Sequence, residues 1–235
     1  MTQFHETKIV KCEKFDNTIL LELKFPEDTD FNFKAGQYVL IYQTINGKEE
    51  NRAFSISSNP KQKTIELLIK VYVKGKVSPK LSELKEGDSL KIRGPFGIFQ
   101  LKQPIKDETI FIAAGTGIAP LRSMIHELSG NHPDKKATLV FGFKHNKDFF
   151  FKEEFEKLAK KNPNFNLIPT MTQPPEGYRG YKGRVTAILP KILKNNNQDV
   201  YICGPLQMIN DTLNLLINEL SFKKEQIHIE RWGSG

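Results

Sequence analysis

The chain has 235 residues, which is enough for one large domain or two small ones. Hydrophobic residues make up 38% of it, so it can bury a core, and no apolar run approaches the length of a bilayer-spanning helix. Its polar first residues do not resemble a signal peptide. Two cysteines are too few for a disulfide framework or a four-cysteine iron–sulfur cluster. We therefore expect a soluble, cytoplasmic monomer without a bound metal.

The formal net charge is +8, and the lysines are spread along the whole chain. Such a charge favours an acidic partner, which can be a nucleic acid, an anionic membrane or an acidic protein. A solvated, lysine-rich surface accounts for it equally well. Because the sequence contains no compact basic run and no nucleic-acid-binding motif, we do not expect a nucleic-acid partner.

The first part of the chain, residues 1–103, consists of short stretches rich in β-forming residues that are separated by turns. Strands are predicted at 19–25, 38–42 and 65–73, and one short helix is predicted at 78–84. This pattern is typical of a small antiparallel barrel with Greek-key connections. Residues 1–103 are therefore predicted to form one domain.

The pattern changes to alternating strands and helices from about residue 109 onward. Strands are predicted at 110–113, 137–143, 165–169, 200–203 and 226–230, and helices at 119–128, 152–160, 185–193 and 206–220. Such alternation predicts an α/β domain whose parallel sheet is covered by helices on both faces. Residues 103–107 are the natural linker, so the second domain is predicted to span 107–235.

A glycine turn joins the first strand of this second domain to its first helix. The apolar run at 111–114 leads into Gly115-Thr116-Gly117, and a helical pattern follows from Ile118. Glycines allow a close backbone approach, and Pro120 is tolerated in a first helical turn. A strand, a glycine turn and a helix start together form a phosphate-binding arrangement.

A second motif, Arg52-Ala53-Phe54-Ser55, offers a guanidinium for a phosphate, a ring for a planar heterocycle and a hydroxyl. In a regular strand Arg52 and Phe54 share one face and Ser55 lies on the other, so a bend is needed to present all three to one ligand. The alternative interpretation is a surface arginine followed by a core phenylalanine.

Three further segments have a chemical and a purely structural interpretation. Gly75–Ser78 is a candidate anion-binding turn, and Gly94–Gly97 is predicted to be a tight turn. Cys203-Gly204-Pro205 follows an apolar strand, at the sheet edge where α/β proteins bind ligands. A buried structural cysteine is the alternative there, and a nucleophilic one is not expected because no partner residue is evident.

Five motifs in chain order carry a family resemblance: Arg52–Ser55, Gly75–Ser78, Gly94–Gly97, Gly115–Pro120 and Cys203–Pro205. Over nearly its whole length the chain resembles the ferredoxin–NADP reductase superfamily. It is most similar to the NADH–cytochrome b5 reductase branch, in residues 68–72 and 141–158 and in the spacing from Thr170 to Gly183.

The resemblance implies that the N-terminal barrel binds FAD. Arg52 would hold the flavin pyrophosphate, Phe54 would lie against the isoalloxazine ring, and Ser55 would bond near the flavin N5. The phosphate and adenine side of FAD would be lined by Lys70, Val71, Gly75, Val77 and Ser78.

The resemblance also implies that the C-terminal domain binds NADH or NADPH. The nucleotide would contact Gly115, Thr116, Gly117, Pro120 and Thr170, and Cys203, Gly204 and Pro205 would place the nicotinamide C4 against the flavin. Ser55 and Cys203 are thus the candidate catalytic residues. Trp232 is a candidate for stacking on the other face of the flavin, with a packing or solvent-facing role as the alternative.

The implied activity is hydride transfer from NAD(P)H to FAD, followed by electron transfer to a separate acidic carrier, namely a ferredoxin, a flavodoxin or a b-type cytochrome. An NAD(P)H:flavin reductase and an FAD-binding electron-transfer subunit of a larger complex are the alternatives. The residues around the nucleotide do not select between NADH and NADPH. Thr172 stands where the branch often carries an acid, and Gln173 stands where NADPH-specific relatives carry an arginine.

Overall fold

The computed structural model describes residues 3–232 of the chain. The fold divides into two compact units. The first consists of residues up to Leu101 together with Arg122–His126, and the second consists of Lys102–Leu121 and the residues from Glu127 onward.

The first unit contains a six-stranded antiparallel sheet in the order β4-β3-β6-β1-β2-β5. Its strands are β1 Phe4–Phe15, β2 Thr18–Lys24, β3 Tyr38–Ile45, β4 Lys48–Ser55, β5 Thr64–Lys70 and β6 Ser89–Phe96, and its short helix is α1 Val77–Ser82. After Ser55 the chain leaves β3, and Ile56 forms a bridge with Leu67 of β5. This bridge brings the two edge strands together and gives the sheet its barrel form.

The core of the first unit follows from the two-residue period of its strands. In β3, Val39 and Ile41 are fully buried, whereas Tyr38, Leu40 and Tyr42 are only partly covered. Alternate residues of a strand point to opposite faces, so one face lines the barrel interior and the other faces outward.

The second unit contains a six-stranded sheet in the order β10-β9-β8-β7-β11-β12, with every pairing parallel. The strands are β7 Glu108–Ala114, β8 Lys136–Phe143, β9 Phe165–Met171, β10 Tyr181–Lys182, β11 Asp199–Cys203 and β12 Ile227–Glu230. The helices are α2 Ile118–Asn131, α3 Lys152–Lys161, α4 Val185–Ile192 and α5 Leu206–Asn214.

The central strands of the second unit are buried on both faces. All five residues of β11 are buried, as are seven of the eight in β8. This continuous burial is typical of a parallel sheet covered by helices. The predicted fold class, an antiparallel barrel followed by an α/β domain, is thereby confirmed.

Several local predictions were incomplete or wrong. Strands β1 and β6 were not predicted, and β5 ends at Lys70, so Tyr72 and Val73 lie beyond it and are exposed. Gly94–Phe96 belongs to β6 rather than to a tight turn; only Gly97, with φ of 102°, follows the strand. The α-helix predicted at 206–220 ends at Asn214 and continues as a π-helical turn over Leu215–Glu219.

Residues 3–232 lack two features, a membrane-spanning helix and a cluster of metal-binding side chains. No helix among these residues is both long and apolar enough to cross a membrane. Within the same range, no three His, Cys, Asp or Glu side chains are grouped so that they could hold a metal ion.

Candidate functional site

Strand β4 positions the arginine and the phenylalanine of the first motif. The ladder between β3 and β4 runs without a register shift, from Tyr38 opposite Ser55 to Ile45 opposite Lys48. Arg52 therefore lies opposite the buried Ile41, and Phe54 lies opposite the buried Val39. The guanidinium and the ring are thus on the same face of the strand, the one that carries Val39 and Ile41, and the partly buried Phe54 packs against the barrel core.

Ser55 differs from these two residues in orientation. The strand has no bulge before it, so its side chain lies on the opposite face, where it is buried. The bend that the motif requires occurs immediately after it, at Ile56, where the chain changes from β3 to β5 as its partner. Ser55 therefore lies at the corner of the barrel and not on the face that carries Phe54.

The segment from Lys70 to Ser78 forms a closed loop between β5 and α1. Lys70 donates from Nζ to Asn17 Oδ1, and the Val71 amide donates to the Asn17 carbonyl oxygen at 2.8 Å. Within the loop, the Tyr72 amide donates to Ser78 Oγ at 3.1 Å, and the Gly75 amide donates to the Tyr72 carbonyl oxygen at 2.8 Å. The amides of Tyr72 and Gly75 thus maintain the loop.

Gly75 is closely packed within this loop. A Cβ on it would lie 3.0 Å from both Ser78 Oγ and the Tyr72 carbonyl oxygen. Val77 and Ser78 begin α1 and are buried. The loop is also tied to the strand of the first motif, because Lys76 Nζ lies 2.8 Å from Glu50 Oε1 of β4.

In the second unit, the glycine turn follows β7 directly. Gly115–Gly117 form a single 3₁₀ turn, and α2 begins at Ile118, so Pro120 lies in the first helical turn. Gly115 adopts φ of 55°, a left-handed conformation that is costly for most other residues. The strand, turn and helix predicted from the sequence are therefore present.

Gly117 brings this turn against the end of β11. A Cβ on Gly117 would lie 2.5 Å from the Cys203 carbonyl carbon and 2.6 Å from the Gly204 Cα, so no side chain fits. A Cβ on Gly204 would in turn approach the Ala114 amide nitrogen to 3.2 Å. The two glycine motifs of the second unit therefore pack backbone against backbone at the carboxyl edge of the sheet, where α/β folds bind nucleotides.

Cys203 itself is fully buried at the end of β11. Burial raises the pKa of its thiol well above its usual range; the nearby Glu230 carboxylate adds to this, and a side-chain hydrogen bond with Trp232 opposes it. The thiol is therefore neutral at physiological pH, as expected for a residue that is not a nucleophile. Pro205 is exposed and precedes α5.

The contact between Cys203 and Trp232 was not predicted from the sequence. β12 pairs in parallel with β11 and sets Glu230 opposite Cys203, which brings the C-terminal segment to the same sheet edge. The apolar residues at 227 and 229 were the available signal, since they predict an edge strand. The side chain of Trp232 is 36% exposed.

Thr170 supports a loop and is not exposed to a ligand. Its side chain is completely buried, and Oγ1 donates to the Gly183 carbonyl oxygen at 2.8 Å. The next loop residues, Thr172 and Gln173, are exposed, and their amides donate to the carbonyl oxygens of Phe143 and Lys144. The loop after β9 is thus held against the end of β8.

Two family models match the chain. The oxidoreductase FAD-binding domain matches residues 8–101, and the oxidoreductase NAD-binding domain matches residues 111–214. The first range contains the arginine motif and the loop before α1, and the second contains both glycine motifs. The expected cofactors, FAD and a nicotinamide nucleotide, are thereby confirmed.

Individual proteins are similar over most of the chain. NADH-cytochrome b5 reductase 1 of Meyerozyma guilliermondii is 34% identical over 209 residues, which cover 86% of this chain and 74% of that protein. The toluate 1,2-dioxygenase electron transfer component of Pseudomonas putida is 33% identical over 83% of this chain and 57% of its own length. The solved structure of the CS-b5R domains of human Ncb5or, in its NAD+ form, matches with a TM-score of 0.86 at 27% identity, over 97% of this chain and 70% of that one.

The site geometry, the two family models and these relatives agree with one another. When bound, FAD accepts a hydride from a reduced nicotinamide and releases electrons singly. The chain is therefore an FAD-dependent NAD(P)H oxidoreductase, and it belongs to the ferredoxin–NADP reductase superfamily, in the cytochrome b5 reductase branch.

Proposed function

We propose that this oxidoreductase passes its electrons to a small acidic carrier protein, which is a ferredoxin, a flavodoxin or a b-type cytochrome. The observation that carries the catalytic part is the close packing of the Gly117 backbone against Cys203 and Gly204, which leaves no room for a side chain at the sheet edge where α/β folds bind nucleotides. The net charge of +8 supports an acidic acceptor, because opposite fields accelerate encounter.

On the flavin side, Arg52 binds the pyrophosphate, Phe54 contacts the ring and Ser55 bonds near N5. Their placement at the end of β4 supports these roles. Lys70, Val71, Gly75, Val77 and Ser78 line the phosphate and adenine side, supported by the closed loop that Ser78 completes.

The role of Arg52 is tested by Arg52→Ala. A charge-assisted hydrogen bond to a phosphate is worth about 1.5–3 kcal/mol, so the variant should release FAD at least tenfold more readily. Lys48→Ala, an exposed residue on the same strand, is the matched control. FAD retention after gel filtration is the measurement. Equal retention by both variants would refute the assignment.

On the nucleotide side, Gly115, Thr116, Gly117 and Pro120 hold NAD(P)H, and Thr170 shapes the adjoining loop. The nicotinamide C4 is positioned by Cys203, Gly204 and Pro205. Trp232 packs beside Cys203, and it is also a candidate for stacking on the flavin. Because Cys203 is assigned to the nicotinamide, the variant Cys203→Ala should slow the reduction of the flavin by NAD(P)H, while its FAD content should equal that of the parent. An unchanged rate would refute the position assigned to Cys203.

We also propose that the chain uses both NADH and NADPH. Thr172 and Gln173 place neither an acid nor an arginine beside the ribose position, and the Arg184 charge lies 3.4 Å from Asp211. The kcat/KM values should then differ by less than about a hundredfold, which is roughly 2.7 kcal/mol. Steady-state kinetics with each nucleotide measure this, and a larger preference in either direction would contradict it.

The acceptor class is tested with three purified probes: the haem domain of a cytochrome b5, a [2Fe–2S] ferredoxin and a flavodoxin. We expect NAD(P)H-dependent reduction of at least one, at a rate that falls as salt is raised, because ions screen the charges. Release of reduced FAD from the protein would instead indicate a flavin reductase. Inactivity of the isolated chain, even with ferricyanide, would indicate a subunit that works only within a complex.

Location and assembly are part of the proposal. We expect a monomer in the cytoplasm, and the two free thiols, Cys12 and Cys203, support a reducing compartment. Cell fractionation and light scattering measure these properties. A membrane or periplasmic fraction, or a stable dimer, would contradict them.

A further inference from the structure

A compact set of aromatic and cationic side chains covers the outer face of the barrel. It consists of Phe4 on β1, Tyr42 on β3, and Lys91 and Arg93 on β6, and we call it the aromatic–cation face. The ladders set Phe4 opposite Arg93, and Lys91 opposite Tyr42. The intervening residues Thr7, Ile41 and Ile92 are buried, so the four side chains point outward.

The cations on this face lie over the rings. Lys91 Nζ is 4.3 Å from the centroid of the Phe4 ring and 5.5 Å from that of Tyr42. The guanidinium carbon of Arg93 is 5.4 Å from the centroid of Phe4, and the two rings meet edge to face at 4.9 Å. Side chains already held in this way lose less conformational entropy when a partner covers them.

The composition of the face is that of a binding surface. Phe4 is 47% exposed although it is a large apolar residue. Aromatic residues and arginine are enriched at protein interfaces and dominate their energetic centres. An exposed phenylalanine held between a lysine and an arginine therefore indicates a contact with another protein.

The charge of the face favours an acidic partner. Where β1 pairs with β6, along residues 4–8 and 89–93, the outward positions carry Lys8, Lys91 and Arg93, against one carboxylate, that of Glu6. A second carboxylate, Glu49 of β4, reaches Lys91 at 2.9 Å. Cations therefore exceed carboxylates on this face, and the whole chain carries +8.

The face is continuous with the strand that carries the flavin motif. β3 lies between β6 and β4, with Leu40 opposite both Arg93 and Ala53. Neighbouring strands are about 4.8 Å apart, so β6 lies about 10 Å from β4. Ala53 and Ser55 lie on the same face of β4 as Leu40, whereas Arg52 and Phe54 lie on the other face. A protein bound to the aromatic–cation face would therefore approach the flavin from the side of Ser55, the residue proposed to bond near N5.

We infer that the aromatic–cation face is the docking surface for the electron carrier, and that the carrier is a small acidic protein with an apolar centre to its contact patch. This inference rests on the proposed function and adds the surface that performs it. Phe4 supplies the apolar contact, and Lys91 and Arg93 supply the charge complementarity.

The test compares charge removal on and off the face. In Lys91→Gln/Arg93→Gln two cations of the face are lost; in Lys157→Gln/Lys160→Gln two exposed cations of α3 are lost, so the net charge is the same. Phe4→Ser removes the apolar contact without a change of charge. Each variant is assayed with ferricyanide, and with the cytochrome b5 haem domain, the ferredoxin and the flavodoxin as carriers.

We expect Lys91→Gln/Arg93→Gln and Phe4→Ser each to lower kcat/KM for a carrier by about tenfold at low salt, with ferricyanide reduction and FAD content unchanged. The charge effect should disappear above about 0.5 M salt, because screening removes it, whereas the effect of Phe4→Ser should remain. The α3 variant should match the parent.

Three results would overturn the inference. One is a face variant that reduces the carrier as fast as the α3 variant. Another is a parent chain that reduces ferricyanide but none of the three carriers. The third is a dimer of the parent chain that Phe4→Ser dissociates, since the face would then bind a second copy. Failure of the parent with ferricyanide would instead count against the proposed function.

Discussion

The backbone of Gly117 packs directly against the carbonyl group of Cys203, with no room for a Cβ between them. We expect Gly117→Ala to force the turn away from β11. The strain should cost about 1–3 kcal/mol of unfolding free energy and weaken NAD(P)H binding at least tenfold. Chemical denaturation and nucleotide titration measure the two effects. Parent-like values for both would show that this close packing is not needed for nucleotide binding.

Gly115 provides a contrast within the same turn. Nothing lies within 4 Å of a Cβ on it, and its φ of 55° is tolerated by asparagine better than by most residues. Gly115→Asn should therefore keep nucleotide affinity within about threefold of the parent and cost less than about 1 kcal/mol of stability. A loss equal to that of Gly117→Ala would mean that both glycines are needed for space.

Thiol reactivity should distinguish the two cysteines. Cys203 is fully buried and its pKa is raised, whereas Cys12 is partly exposed. Because the thiolate is the reactive form, iodoacetamide should label Cys12 in the native protein well before Cys203. Peptide mass mapping over a time course measures this order. Early labelling of Cys203 would show that its environment is open to solvent.

A buried ion pair in the first unit is expected to be important for stability. Arg122 Nη1 lies 2.7 Å from Glu66 Oε2 and donates to the Ser57 carbonyl oxygen at 3.2 Å, and the arginine is 6% exposed. Removal of one partner of such a pair costs about 3–5 kcal/mol, so Arg122→Met should be strongly destabilising.

The exposed pair of Lys80 and Glu83 is the matched control, and Lys80→Met should cost less than about 0.5 kcal/mol. The double variant Arg122→Met/Glu66→Leu should recover part of the lost stability, because no buried charge then remains alone. Urea denaturation measures all four proteins. Equal costs for Arg122→Met and Lys80→Met would contradict this description of the pair.

Acid should destabilise the second unit through His228. Burial lowers the pKa of this imidazole, as do the charges of Lys102 and Lys106, whereas Asp199, 3.9 Å away, raises it. The ring stacks on Tyr201 at 4.6 Å between centroids. Since the folded pKa lies below the unfolded value of about 6.5, the unfolded chain binds the proton more readily, and stability falls as pH drops through about 6.5.

The variant His228→Asn should lose this sensitivity. Thermal unfolding between about pH 7.5 and pH 5 should show a shallower decline in the variant than in the parent, whose remaining decline comes from other groups. Parallel profiles would show that His228 contributes nothing to the acid sensitivity.

The second unit was easier to predict from the sequence than the first. In the second unit, apolar runs such as 110–113 and 200–203 are strands buried on both faces, and helical periodicity separates them. In the first unit, β1 is a long strand with seven exposed and five charged residues among its twelve, so it has no continuous apolar run. It is stabilised by its pairing with β2 and β6, which a local pattern does not reveal.

The candidate site, too, could be predicted from the sequence only in part. The glycine motifs could be recognised because glycine has specific backbone roles. In the structure, Gly115 adopts a left-handed backbone conformation, and Gly117 lies where no side chain fits. The burial of Thr170 and the contact between Cys203 and Trp232 depend on distant segments, and residue type alone could not indicate them. The orientation of Ser55 required the register of β4, which only the ladder fixes.

The central claim, that this chain moves electrons from a nicotinamide nucleotide to FAD, is tested most directly by anaerobic rapid mixing. The FAD-loaded protein is mixed with NADH or NADPH, and the absorbance of the oxidised flavin is followed through one turnover. We predict that the band bleaches fully with either nucleotide, and that it returns when ferricyanide is added. A flavin that stays oxidised with both nucleotides would contradict the account.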